Sequence, residues 1–109
     1  MKKLIILGST GSIGTQALDI VRANPDKYVV TALVAGSNAK LLEAQAREFK
    51  PQAVALFDEV AATDLKVRLA DTDIKVLSGA IGVCELAATD GDMVLNAIVG
   101  DVKIREETE

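Results

Sequence analysis

Short apolar runs alternate along the chain with longer segments whose apolar positions recur every three or four residues. The runs suit strands buried on both faces, and the recurrence suits helices with one covered face. Five runs qualify as strands: Lys3 to Leu7, Val29 to Ala35, Ala53 to Phe57, Ile74 to Leu77 and Met93 to Val99. Ile13, Ala17, Ile20 and Val21 predict the covered stripe of a first helix, and Leu42, Ala46 and Phe49 that of a second. Asn24-Pro25 and Lys50-Pro51 end these helices, because a residue before proline is pushed out of the α region. A third helix opens at Asp58, a good N-cap, and presents Ala61, Leu65 and Leu69. A fourth opens near Ser78 and presents Ile81, Cys84 and Ala88. This alternation predicts an α/β protein: a doubly wound parallel sheet of about five strands, with helices on both faces in three layers.

Composition narrows the picture. Half of the 109 residues are apolar but just three are aromatic (Tyr28, Phe49 and Phe57), so the core is expected to be aliphatic, as suits helices laid on a parallel sheet. That length supports one domain, placed at residues 1–100, followed by a tail at 101–109 with six charges in nine residues. The net charge of -4, with no long Lys/Arg cluster, argues against nucleic-acid and membrane-surface partners. Lys2 and Lys3 precede only Leu4 to Leu7 before Gly8, short of a secretion signal or spanning helix, so the fold is expected to start where the chain starts. Cys84, the single cysteine, can form no internal disulfide; it is expected to be a small buried hydrophobe in a cytoplasmic protein. With no histidine there are no imidazole ligands and no Ser-His or Cys-His pair. Asp58, Glu59, Asp64, Asp71 and Asp73 are expected on a solvated face remote from the carboxyl edge of the sheet, and Asp90 and Asp92 at the other end of the fifth strand. No catalytic residue and no metal site are therefore assigned.

The informative segment is Gly8-Ser9-Thr10-Gly11-Ser12-Ile13-Gly14, which leaves the first strand and enters the first helix. Gly8 and Gly11 allow a tight turn and close approach of a pyrophosphate, and Gly14 lets the helix sit against the strand, as in Rossmann-like folds. Amides at a helix N-terminus lack internal partners, and the helix dipole favours an anion there. The Ser12 and Ile13 amides are the expected donors, with Thr10 and Ser12 hydroxyls adding to them. A plain glycine turn remains the alternative. At the end of the second strand, a carboxylate would grip the ribose 2′-hydroxyl of NAD and repel the 2′-phosphate of NADP. The strand instead ends Val34-Ala35-Gly36-Ser37-Asn38-Ala39-Lys40. Gly36, Ser37 and Asn38 are expected to meet the cofactor's extra phosphate. The alternative is that Asn38 caps the helix and Lys40 is solvated.

Together, Ile6 to Gly14, Ala32 to Asn38, Val76-Leu77-Ser78-Gly79 and Asn96-Ala97-Ile98-Val99-Gly100 resemble four segments of the 1-deoxy-D-xylulose 5-phosphate reductoisomerase family. That resemblance implies an NADPH-dependent oxidoreductase of non-mevalonate isoprenoid synthesis, homodimeric at full length, with a divalent metal (Mg or Mn) held outside this segment. It implies that Thr10, Gly11, Ser12 and Ile13 hold the pyrophosphate side of NADPH, that Gly36, Ser37 and Asn38 meet its 2′-phosphoribose, and that Ala97 and Ile98 lie near the nicotinamide ribose. The chain departs from the family at Ser37, where Lys or Arg is frequent, and after Gly100, where the catalytic and C-terminal domains are expected to be absent. Two other readings stay open: the opening domain of a semialdehyde dehydrogenase, and a stand-alone dinucleotide sensor.

Overall fold

The structure, a computed structural model, describes residues 2–87 and 91–96. Strand and helix alternate: β1 (Lys2–Leu7), α1 (Ser12–Ala23), β2 (Tyr28–Ala35), α2 (Ala39–Phe49), β3 (Ala53–Leu56), α3 (Glu59–Arg68), β4 (Lys75–Ser78), α4 (Gly79–Ala87) and β5 (Met93–Asn96). The five strands form one parallel sheet in the order β4-β3-β2-β1-β5. The chain steps outward from β1 to β4 and then returns to the far side of β1. Crossovers of one hand keep their helices on one face while the direction of travel is constant, and the return step reverses it. Accordingly α1, α2 and α3 cover one face, with Leu18, Val21, Leu42, Ala46, Ala62 and Leu65 packed on Leu4, Ile6, Leu33, Val54 and Leu56. Val83 and Leu86 of α4 cover the other, against Ile5, Ala32, Val34, Ala53 and Ala55. The three-layer expectation holds, and the reversal of strand order falls beside β1. Among the described residues no helix is long and apolar enough to cross a membrane.

A bulge in β2 sets which side chains reach which face. Leu4 pairs with Val30, but Ile5 pairs with Ala32, so Thr31 is the extra residue. Its hydroxyl donates to the Leu4 carbonyl (3.2 Å) and its carbonyl accepts from the Gln52 amide (2.9 Å), so the irregular residue is satisfied. Past it, Leu33 and Ala35 face the three helices while Ala32 and Val34 face α4.

Two helix faces differ from the sequence expectation. In α1 the buried residues are Gly14, Leu18 and Val21, while Ile13 and Ile20 are 50% and 58% exposed. The stripe begins at Gly14, and Ile13 and Ile20 each precede a buried position by one residue, a rotation of about 100°. In α4 Val83 and Leu86 are buried, while Ile81 is 80% exposed and Cys84 is exposed. Cys84 is therefore not the buried hydrophobe expected. The segment is apolar almost all round, so its periodicity discriminates poorly. The face that packs on the sheet carries Val83 and Leu86, with Gly82 so close to β4 that a Cβ there would lie 2.9 Å from Leu77 Cβ.

Candidate functional site

At the carboxyl end of β1, residues Gly8 to Gly11 make a turn closed by the Gly11 amide donating to the Gly8 carbonyl (3.2 Å). Gly8 has φ +88°, a conformation that side chains disfavour. The Gly8 and Ser9 amides both donate to the Val34 carbonyl (2.7 and 3.0 Å), tying the turn to β2. A Cβ on Gly14 would lie 2.1 Å from Gly8 O and 2.7 Å from Ser9 Cα, so α1 sits against the turn as closely as a glycine permits.

The start of α1 differs chemically from the starts of α2 and α3. Asn38 Oδ1 accepts from the Leu41 amide (3.1 Å), and Asp58 Oδ1 accepts from the Val60 amide (3.0 Å). The N-cap of α1 is Gly11, with φ -80° and ψ 176°, and no side chain caps the helix. The amides of Ser12, Ile13 and Gly14 have no hydrogen-bond partner among the described residues, and the first turn carries no acid. Ser12 and Ile13 are exposed, so two of these donors lie where an anion can reach the positive end of the helix dipole. Thr10 is half-buried beside them.

The second loop lies on the same edge. Gly36, Ser37 and Asn38 are exposed, as is Lys40, and a Cβ on Gly36 would meet nothing within 4 Å. Asn38 caps α2 through its oxygen, so the alternative reading holds for that atom, and its amide nitrogen is left available. The Phe57 and Asp58 amides donate to the Ala35 and Gly36 carbonyls (3.1 and 2.9 Å), which brings the β3–α3 junction to this rim. Asp58, at the head of α3, is thus at the carboxyl edge and not remote from it, because α3 begins directly at the end of β3. Its carboxylate is occupied in capping. Phe57, half-exposed beside Gly36, was not signalled by the sequence pattern. Ala97 and Ile98 lie outside the described residues, but Leu7 pairs with Asn96, so β5 ends next to the turn.

Glu59, the first residue of α3, is at the same edge and not remote from it, its Oε2 3.1 Å from where a Cβ on Gly79 would lie, and several acidic side chains elsewhere are paired. Arg47 binds Glu43 (3.1 Å) and Asp71 (2.9 Å), and Arg68 binds Glu43 (3.1 Å) and Asp64 (2.9 Å). The hydrogen bond from Arg47, then that from Arg68, holds the Glu43 carboxyl below the usual range; Arg47 does the same for Asp71, and Arg22 for Glu48. At the amino end of β1, Asp92 accepts from the Lys3 amide (2.8 Å). Among the described residues no three His, Cys, Asp or Glu gather as a metal site. A cavity of about 590 Å³ lined by Arg47, Lys50, Gln52, Thr72 and Asp73 lies at the amino edge, away from both loops.

A family model described as 1-deoxy-D-xylulose 5-phosphate reductoisomerase matches residues 4–108. The chain belongs to that family. It is 52% identical over 110 residues to the reductoisomerase of Desulfitobacterium hafniense, covering 100% of this chain and 29% of that relative. With the reductoisomerase of Agathobacter rectalis it shares 54% identity over 106 residues, covering 96% of this chain and 28% of the relative. The chain therefore spans less than a third of the length of these curated relatives. Among solved structures, the Zymomonas mobilis reductoisomerase in complex with NADPH superposes with a TM-score of 0.82 at 33% identity, over 85% of this chain and 25% of that one. A reductoisomerase bound to NADPH, fosmidomycin and magnesium superposes with a TM-score of 0.81 at 35% identity, over 86% of this chain and 24% of that one. Family membership sets aside the semialdehyde dehydrogenase reading.

Proposed function

We propose that this chain is the NADPH-binding part of a cytoplasmic 1-deoxy-D-xylulose 5-phosphate reductoisomerase, with the cofactor domain at residues 1–100. The full protein rearranges and reduces its substrate to 2-C-methyl-D-erythritol 4-phosphate. The observation that carries this reading is the set of unpartnered amides at Ser12, Ile13 and Gly14, above a glycine turn at the carboxyl edge where the strand order reverses. NADPH, when bound, supplies the hydride.

The chain's own residues bind and orient. The Ser12 and Ile13 amides donate to diphosphate oxygens, with the Thr10 and Ser12 hydroxyls beside them. Gly36 leaves open the volume a 2′-phosphate needs, and Ser37, the Asn38 amide nitrogen and Lys40 supply donors and one positive charge around it. The free side chains from Gly36 to Lys40 include no carboxylate to repel that phosphate, and the nearby Asp58 is directed into its cap. Ala97 and Ile98 serve the nicotinamide ribose. Among the described residues no three His, Cys, Asp or Glu gather as a metal site, and on this reading the ligands of the divalent metal are supplied by the rest of the full-length protein.

Titration with NADPH and NADH, followed by the nicotinamide fluorescence, tests the reading. Saturable binding with NADPH preferred is expected. Absence of saturable NADPH binding by the full-length protein overturns the cofactor assignment, and equal affinity for NADH overturns the 2′-phosphate pocket alone.

A further inference from the structure

Gln45 is a polar residue in the apolar stripe of α2. It lies among Leu42, Ala46 and Phe49 and is only 6% exposed. Its side-chain nitrogen Nε2 donates to the carbonyl of Ser9 (2.9 Å), a residue of the glycine turn that is 0% exposed. Gln45 Oε1 and Ser9 Oγ have no partner among the described residues. A leucine or methionine would fill this part of the core without leaving a buried oxygen unsatisfied, so stability alone does not account for the glutamine.

The consequence lies in where the Ser9 carbonyl points. In a regular helix extended backwards from α1, that carbonyl would accept the Ile13 amide four residues on. Here it accepts from Gln45 instead, and the Ile13 amide is left without a partner. The Ser9 peptide is held on three sides: its amide by the Val34 carbonyl (3.0 Å), its carbonyl by Gln45, and its Cα by Gly14. We propose that Gln45 is a positioning residue for cofactor binding: by drawing the Ser9 carbonyl toward α2, it keeps the Ile13 amide available for the diphosphate without touching the cofactor. This rests on the reading that the turn seats the diphosphate.

The test is Gln45→Met, which keeps an unbranched side chain of similar volume and removes the donor, with Gln45→Leu as a second variant should the first not fold. Three readouts are taken on the full-length protein: NADPH affinity, affinity for adenosine 2′-monophosphate, and hydrogen exchange of the Ile13 amide without ligand. Loss of one buried hydrogen bond that orders the donor set predicts a rise of about ten-fold in the NADPH Kd. Adenosine 2′-monophosphate, which lacks the diphosphate, binds unchanged, and the Ile13 amide exchanges more slowly because the released carbonyl now accepts from it. Equal weakening of both ligands means that α2 is merely damaged and overturns the proposal, as does an unchanged NADPH Kd. If the unaltered protein does not bind NADPH, the diphosphate reading fails on its own; Ile13 exchange then still decides whether Gln45 holds that amide open.

Discussion

Replacing Gly14 with alanine tests the packing on which the site depends. The new Cβ would lie 2.1 Å from Gly8 O, 2.7 Å from Ser9 Cα and 2.9 Å from Gly8 C, all backbone atoms that no rotamer change can move. Ordinary contact requires α1 and the turn to separate by about 1 Å. Overpacking of this kind costs roughly 1–3 kcal/mol, and the lack of a yielding side chain puts this case in the upper part of that range. Alanine returns up to about 1 kcal/mol through its helix propensity. The net cost is then about 1–2 kcal/mol, which lowers Tm by roughly 5–10 °C in a domain of this size. The same displacement carries the Ser12 and Ile13 amides away from the turn, so NADPH affinity falls by more than the loss of folded protein explains. Calorimetric melting and fluorescence titration measure the two effects. A Gly14→Ala protein with unchanged Tm and unchanged Kd would refute the close packing and the donor geometry together.

Gly11→Val leaves the backbone path open, since φ -80° and ψ 176° suit any residue, and lowers Tm by a few degrees because valine is a poorer N-cap than glycine; the branched side chain obstructs the diphosphate, so NADPH binding is lost in titration by far more than the loss of folded protein explains. Gly36→Ala leaves Tm unchanged because its Cβ meets nothing within 4 Å, and it weakens NADPH more than NADH, read from the two Kd values. Ser37→Arg adds a bidentate phosphate partner and tightens NADPH selectively by about ten-fold; unchanged selectivity discredits the 2′-phosphate pocket. Folding stability falls on acidification. The folded carboxyls of Glu43, Glu48 and Asp71 lie below their unfolded values, so their stabilisation is present above about pH 4.5 and is lost as pH drops through the folded values. Glu43→Gln should flatten the acid limb of a urea-denaturation series, and an identical limb would show that the Arg47–Glu43–Arg68 cluster does not contribute.

Much of the fold is legible in the residues because local and tertiary signals agree. Asn24-Pro25, Lys50-Pro51 and the Asp58 cap bound α1, α2 and α3 within a residue or two. The glycine turn is legible for the same reason, since its spacing, its preceding strand and its following helix all require one backbone path. Legibility fails where one residue serves two ends. Gly14, which ends the glycine segment and lets α1 sit against the strand, is also the first core position of α1, and a stripe counted from side-chain-bearing residues alone falls on Ile13 and Ile20 instead. In α4 the apolar residues surround the helix, so periodicity singles out no face; Val83 and Leu86 pack on the sheet, Gly82 approaches Leu77, and Cys84 is turned outward. Asp58 and Glu59 lie at the rim because a helix that starts at once after a parallel strand begins at the carboxyl edge, a placement that residue type alone does not signal. Gln45 left a trace, a glutamine in an apolar stripe, but its partner Ser9 is 36 residues away and no local pattern links them.

An amide-resolved NMR titration with NADPH reads the diphosphate seat residue by residue. The Ser12 and Ile13 amides are expected to shift to lower field and saturate together with those of Gly36 to Asn38, at one Kd. Unmoved Ser12 and Ile13 signals, with shifts gathered instead around Arg47, Lys50 and Thr72 at the amino edge, would contradict that seat.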